Sequence, residues 1–154
     1  MRRGIWCSIS SRPVDEPGQV LRRQPAQPNH PWHDAGLRFR FAVPLINVRT
    51  SLASVDNPDA LLKELSAALA QQTGKPETYV MTMLETAVPM TFGASSEPSV
   101  FVEIKSIGSL RPPAMTAAFC DLIGARTGIP TNRIYIQFED VAAASWGWDG
   151  RTFG

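Results

Sequence analysis

The sequence predicts an α/β (α+β) fold of two βαβ repeats, forming a four-stranded mixed sheet with two helices on one face. The chain repeats itself weakly but in register from Pro44 onward, at an offset of 54 residues. Pro44-Leu45-Ile46-Asn47-Val48 falls on Pro98-Ser99-Val100-Phe101-Val102, and Thr73-Gly74-Lys75-Pro76 falls on Thr127-Gly128-Ile129-Pro130. Between these landmarks Leu61, Leu65, Ala68 and Leu69 fall on Met115, Phe119, Leu122 and Ile123, the spacing of one helix face.

The elements follow in order. The first strand opens at Pro44. Asn57 caps the first helix, with Pro58 at its first position, where a missing N–H costs nothing; Gly74 and Pro76 stop it. Tyr79 to Glu85 reads as the second strand. The loop from Thr86 to Pro98 carries Gly93 and a polar Ser-Ser-Glu-Pro turn. A third strand lies in VFVEIKSI, from Val100 to Ile107. Pro112-Pro113 opens the second helix, Gly128 and Pro130 close it, and Arg133 to Glu139, with β-branched and aromatic residues, forms the last strand. Right-handed crossovers make each unit's strands parallel and put both helices on one side. The other face is then uncovered, with alternating apolar residues in VFVEIKSI and RIYIQF. Self-association is the expected way to shield it.

The chain has 154 residues, 44% of them hydrophobic, enough for one globular domain with a core. Its net charge of +1 hides a split. Residues 1–43 hold seven Arg, no Lys and three acids, net +4, whereas residues 44–154 hold eight Lys or Arg against eleven acids, net −3. The folded part therefore lacks the clustered cations that a nucleic-acid partner requires. Cys7 and Cys120 are far apart, without metal or disulfide spacing, and Cys120 lies on an apolar stripe as a small buried hydrophobe. No run approaches the roughly 18 apolar residues of a membrane span, and a secretory signal's apolar core is missing. A cytoplasmic, reducing location is the expectation.

Residues 1–43, with five prolines and no useful periodicity, read as a disordered extension. His30 and His33 in HPWH are the chain's two histidines; with no Cys or carboxylate cluster beside them they read as solvated, so no metal site is expected. The arginine-rich, acid-poor composition also fits a transit peptide.

PLINVRTSL, TGKP, FGASSEP, the Ser106-Ile107-Gly108 triplet, NRIYIQF and the tail AASWGWDGRTFG occur in order across residues 44–154. Together they resemble macrophage migration inhibitory factor and its tautomerase relatives. The resemblance implies a homotrimer with active sites between subunits, no cofactor, and catalysis by an amino-terminal proline. It places that proline on Pro44, the lysine for the substrate carboxylate on Lys75, a backbone donor on Ile107 and a tyrosine from the neighbouring subunit on Tyr135. Leu45, Trp146 and Trp148 would form the apolar wall, with Tyr79 near the rim. Gln137 replaces the family's substrate-binding asparagine, and Lys105 a histidine near the pocket of the mammalian proteins. The mammalian CxxC is replaced by Ser99-Val100-Phe101-Val102, so no thiol redox activity is expected.

The chemistry also follows from the residues. Shifting a proton between a carbon and a carbonyl oxygen needs a base that is neutral at working pH. A free proline amine meets this when an apolar pocket and a nearby cation lower its pKa. Lys75 supplies a cation, Trp146 and Trp148 a dry wall, and an aromatic 2-oxo acid such as phenylpyruvate matches the set. Each residue also has a plain structural reading: Pro44 opens a strand as Pro98 does, Lys75 complements a helix dipole, and Tyr135 alternates with Ile134 and Ile136 as an ordinary interface aromatic.

Joined to Val43, the Pro44 nitrogen is an amide without a basic lone pair. The expectation is therefore that residues 1–43 are absent from the active protein, through a start at Val43 followed by removal of the initiator methionine, or through processing at the same point. With the extension retained, the alternative is a binding or signalling protein with a silent site.

Overall fold

The computed structural model describes residues 43–154. The expectations for the preceding extension, its HPWH histidines and Cys7 lie outside the described residues. The elements run β1 (Leu45–Thr50), α1 (Pro58–Thr73), β2 (Met81–Glu85), β3 (Val100–Ser106), α2 (Pro112–Thr127) and β4 (Ile134–Asp140), followed by the short strands β5 (Gly147–Trp148) and β6 (Arg151–Thr152). The main sheet has the order β2-β1-β3-β4. Within each repeat the strands are parallel, and β1 meets β3 antiparallel, which makes the sheet mixed as the sequence implies.

The repeat extends to the ends of the helices. Pro58 and Thr73 bound α1 as Pro112 and Thr127 bound α2, and Gly74 and Gly128 end them in the left-handed region, at φ 68° and 72°. Glycine enters that region without the Cβ penalty of other residues. The N-termini differ. Asn57 Oδ1 accepts from the Ala60 N–H at 3.2 Å, whereas Arg111 gives α2 no side-chain cap. Each helix is followed by a 3₁₀ turn, Glu77–Tyr79 and Thr131–Arg133. These turns displace the strands from their expected starts at Tyr79 and Arg133 to Met81 and Ile134.

The core lies between helices and sheet. Ile46, Val48, Val102 and Ile104 project from the sheet onto Leu61, Leu65, Leu69, Met115, Phe119 and Ile123, all without solvent exposure. Each such side chain stabilises the fold by about 1.5–3 kcal/mol relative to leaving it in water. Cys120 packs at the edge of this core as a free thiol, and burial pushes its pKa up. Arg126 of α2 pairs with Glu64 of α1 across the helix layer.

The opposite face corrects the sequence expectation. The alternating apolar residues of β3 and β4, Val100, Val102, Ile104 and Ile134, all face the helices and are buried. Because side chains alternate with a period of two, the next positions fall on the other face. Those positions carry charges: Arg49 reaches Glu85 at 3.0 Å and Glu103 at 3.2 Å, and Lys105 reaches Glu139 at 2.9 Å. The Asn47 amide and then Arg49 hold the Glu85 carboxyl below the usual range. The apolar part of this face is limited to Leu45, Phe101, Met81, Met83 and Tyr135, of which Met81 is 58% and Tyr135 62% exposed. Among the described residues, no helix is long and apolar enough to cross a membrane.

Phe119 fills the centre of the core, so Phe119→Ala leaves a cavity that the sheet and α1 cannot close. The expected loss is about 3–5 kcal/mol of unfolding free energy, read from urea denaturation.

Candidate functional site

The site is organised by the end of α1. Gly74 takes the chain out of the helix, and the Lys75 N–H still bonds to the Ala70 carbonyl at 3.1 Å. The side chain then runs inward and is only 6% exposed. Its ammonium donates to Ser106 Oγ at 2.8 Å and to the Ile107 carbonyl at 2.7 Å. The charge is therefore directed to the end of β3 rather than to the helix carbonyls of the plain dipole reading. Burial lowers the Lys75 pKa from its usual 10.5, and the Asp140 carboxylate opposes that shift.

Pro44 meets the same point from β1. The register pairs Leu45 with Lys105, so one residue further along the ladder Pro44 comes opposite Ser106. Pro44 is fully buried, and its carbonyl accepts from the Met81 N–H at 3.0 Å. By strand alternation its ring lies on the side of Ile46 and Val48, as the Ser106 hydroxyl lies on the side of Ile104. Pro44 and Lys75 thus converge on Ser106.

The turn beyond Ser106 is held by the end of β4. The Val141 N–H bonds to the Ser106 carbonyl at 2.8 Å, and the Gly108 N–H to Asp140 Oδ1 at 2.7 Å. Gly108 and Ser109 both have positive φ, 68° and 67°. Two consecutive left-handed residues reverse the chain within a few ångströms, so Ile107 stays at the site.

The C-terminal tail supplies aromatic surface. Asp149 and Gly150, at φ 49° and 76°, form the turn between β5 and β6. This hairpin sets Trp148 edge-on to Tyr79 at 6.1 Å and stacks it on Phe153 at 6.5 Å. Tyr79 ends the 3₁₀ turn after Lys75, two residues before Met81, whose N–H bonds to the Pro44 carbonyl. Trp146 is half-buried, and its carbonyl accepts from the Phe153 N–H at 3.1 Å.

The remaining sequence candidates lie elsewhere. Leu45 is half-buried on the face opposite the Pro44 ring, next to Met81 and Lys105 in register. Lys105 is on that face too, paired with Glu139. Tyr135 and Gln137 are exposed there, paired in register with Phe101 and Glu103. Tyr135 is four residues along the strand from the Lys105–Glu139 pair beside Leu45, a separation of about 13 Å at ~3.3 Å per residue. A single chain therefore does not bring Tyr135 to its own Pro44 and Lys75.

Tyr135 instead packs edge-on to Phe92, with ring centroids 4.5 Å apart. The Arg133 guanidinium sits 5.3 Å from the Phe92 ring and donates to the Pro98 carbonyl at 2.8 Å and the Glu97 carbonyl at 2.7 Å, clamping the 92–98 loop. Sequence reasoning missed Arg133, Phe92, Asp140 and Phe153. The Asp149-Gly150 pair was a legible hairpin signal; the others become neighbours only through strand register. A hollow of about 370 Å³ between the end of α1 and the approach to α2, lined by residues such as Thr73, Ser109 and Arg111, contains neither Pro44 nor Lys75.

The geometry defines a small two-βαβ protein with a buried lysine and a proline meeting at one end of its sheet. The sequence profile of the macrophage migration inhibitory factor (MIF) family matches residues 43–154, and the chain belongs to that family, within the tautomerase superfamily. It is 36% identical over 114 residues to macrophage migration inhibitory factor of Xenopus laevis, covering 72% of this chain and 99% of that protein. The crystal structure of a homologue from Prochlorococcus marinus superposes with a TM-score of 0.69 at 50% identity, covering 71% of this chain and 99% of that one. The Trichinella spiralis factor gives a TM-score of 0.67 at 31% identity, over 70% and 98% of the two chains.

The lowered pKa of Lys75 makes stability depend on pH. Between its folded pKa and the unfolded value near 10.5 the unfolded chain holds more protons, so the Lys75 contribution to stability rises with pH through that window. Lys75→Met is expected to remove this rise. Urea denaturation of both proteins from neutrality up to that pH checks it.

Proposed function

We propose that this protein is a cofactor-independent keto–enol tautomerase of aromatic 2-oxo acids of the phenylpyruvate type, with Pro44 as general base and acid. The observation that carries this reading is the convergence of the buried Pro44 and the Lys75 ammonium on Ser106. A free Pro44 amine in that place is a secondary amine with a cation nearby and little water around it. Both features disfavour its protonated form and lower its pKa, leaving it neutral and able to accept a proton.

In the forward direction the amine takes a proton from C3 of the 2-oxo acid. The C–H pair becomes the C2–C3 double bond, and the prolinium then delivers that proton to the carbonyl oxygen, giving the enol and the neutral amine. In reverse the amine takes the enol O–H proton and returns it from the prolinium to C3. Lys75 has three N–H donors, two of them placed on Ser106 and Ile107, and the third serves the substrate carboxylate. Ile107 supplies a backbone donor. Tyr79, Trp146 and Trp148 hold the aromatic ring.

Tyr135 and Gln137 enter the site from a neighbouring subunit of a homotrimer. Their separation from Pro44 within one chain, the exposed Met81 and Tyr135, and family membership support this arrangement. Tyr135 comes preformed for such a role, held by Phe92 and the Arg133-clamped loop. In this reading the protein acts in the cytoplasm, without a nucleic-acid or membrane partner.

The reading requires that residues 1–43 be absent from the active protein. Relatives matched over 99% of their own length align to 72% of this chain, and the matched region starts at Val43, so the preceding residues have no counterpart in that match. This supports the chemical requirement that the Pro44 nitrogen be an amine. A protein that keeps the extension has an amide there, and a binding role for the same fold follows.

Intact mass and N-terminal sequencing of the protein expressed from its own gene are expected to give a chain beginning at Pro44 that interconverts the keto and enol forms of phenylpyruvate. Full-length protein with undiminished activity overturns the mechanism. Pro44→Gly is expected to lower kcat sharply while leaving the assembly intact by analytical ultracentrifugation. Lys75→Ala removes a charge-assisted hydrogen bond worth about 1.5–3 kcal/mol. Its KM for phenylpyruvate is expected to rise roughly 10- to 150-fold.

A further inference from the structure

Lys75 holds its position through a turn that it does not itself build. Its two acceptors, Ser106 Oγ and the Ile107 carbonyl, lie at the end of β3, where the chain leaves the sheet through the left-handed pair Gly108 and Ser109. A turn of that kind is free to rotate unless its peptide groups are tied. Two bonds from the end of β4 tie it: the Val141 N–H to the Ser106 carbonyl, and the Gly108 N–H to Asp140 Oδ1. The second is the side-chain tie, and it involves an ionised acceptor, which makes it the stronger kind of hydrogen bond.

We propose that Asp140 is a positioning residue for the anion-holding end of the site, fixing the Ser106–Gly108 turn through the Gly108 amide and placing its charge across the Ile107–Gly108 peptide from the Lys75 ammonium. It rests on the function proposed above for its catalytic meaning, but not for its geometry. The role has two separable parts. As a hydrogen-bond acceptor Asp140 orients the Ile107–Gly108 peptide, whose carbonyl Lys75 uses. As a carboxylate it favours the charged form of a lysine whose burial disfavours it. An ammonium that loses its proton cannot bind a substrate carboxylate, so this second part sets how far up the pH scale the anion site stays competent.

Among the described residues, other charged and titratable groups stand beside Lys75 in the chain or at the end of α1. Glu77 and Tyr79 follow it in the 3₁₀ turn, and Arg111, ahead of α2, donates to the Gln72 carbonyl at 2.6 Å. From β4 comes Asp140. In the proposed mechanism the Pro44 amine is neutral at rest and adds a cation beside Ser106 only in its transient prolinium form. Asp140 is the group whose field opposes the lowered Lys75 pKa.

Asp140→Asn keeps an oxygen for the Gly108 N–H and removes the charge, whereas Asp140→Ala removes both. The full chain has three lysines, Lys63, Lys75 and Lys105, so the ¹³Cε resonance of Lys75 can be titrated by NMR in all three proteins. The Lys75 titration is expected to move to lower pH in both variants. Gly108 amide exchange is expected to accelerate in Asp140→Ala and to stay near the unaltered rate in Asp140→Asn. An unchanged Lys75 titration in Asp140→Asn overturns the electrostatic part, and unchanged Gly108 exchange in Asp140→Ala overturns the positioning part. Should Asp140→Ala fail to fold, Asp140→Asn still decides the charge, and exchange at Gly108 in Asp140→Ser, whose shorter side chain withdraws the acceptor, decides the tie.

Phenylpyruvate turnover by the chain beginning at Pro44 separates this from the proposed function. With turnover, KM of Asp140→Asn is expected to rise at a lower pH than in the unaltered protein, while kcat changes little. Absence of turnover in the unaltered protein overturns the tautomerase reading and leaves the NMR result to stand or fall by itself.

Discussion

An ammonium buried to 6% exposure is tolerated only where its protons have acceptors, because an unpaired charge taken out of water costs several kcal/mol. Lys75 meets this condition at the one place where the end of α1 faces the end of β3. The geometry of that end of the molecule follows from it. The helix must stop at Gly74 to release the lysine, the strand must end at Ser106 to present a hydroxyl, and the chain beyond must turn back with the Ile107 carbonyl pointing inward. Pro44 shares the position because the β1–β3 register sets it against the same serine.

The two halves of the chain are built alike and used differently. Both helices are flanked by proline and glycine at matching positions, and both lead through a 3₁₀ turn into a strand. Yet the residue after the first glycine is a lysine, and its counterpart after the second is Ile129, buried in the core. One substitution within a pseudosymmetric frame converts a packing position into a buried charge. The second half contributes otherwise, through Ser106, Ile107 and Asp140 to the lysine and through Tyr135 to the far end of the sheet.

The uncovered face is laid out for contact of a mixed kind. Arg49, Glu85, Glu103, Lys105 and Glu139 form ion pairs across neighbouring strands, while Met81, Met83 and Tyr135 stand exposed around them. Exposed ion pairs add little to stability. Their position on the sheet gives that face a fixed pattern of charge, which favours a specific orientation of any second copy over unspecific association of an apolar surface.

The 54-residue repeat, the helix limits from Pro58 to Thr73 and from Pro112 to Thr127, and the inward face of the core were legible in the sequence, because caps, glycine stops and apolar spacing act within a few residues of each other. The strand starts were less so: the 3₁₀ turns at Glu77 and Thr131 carry no distinct signal and delay pairing until Met81 and Ile134. The polarity of the open face was misjudged because alternation states that two faces differ without stating which one the helices take. Lys75 and Pro44 were recognisable as candidates from the sequence by itself, through their motifs. That they meet at Ser106, that Asp140 ties the turn beneath them, and that Tyr135 stands about 13 Å along the sheet from Pro44's end of the ladder were decided by tertiary structure. These relations depend on strand register and chain reversal between residues some thirty or more apart, and no local spacing encodes that.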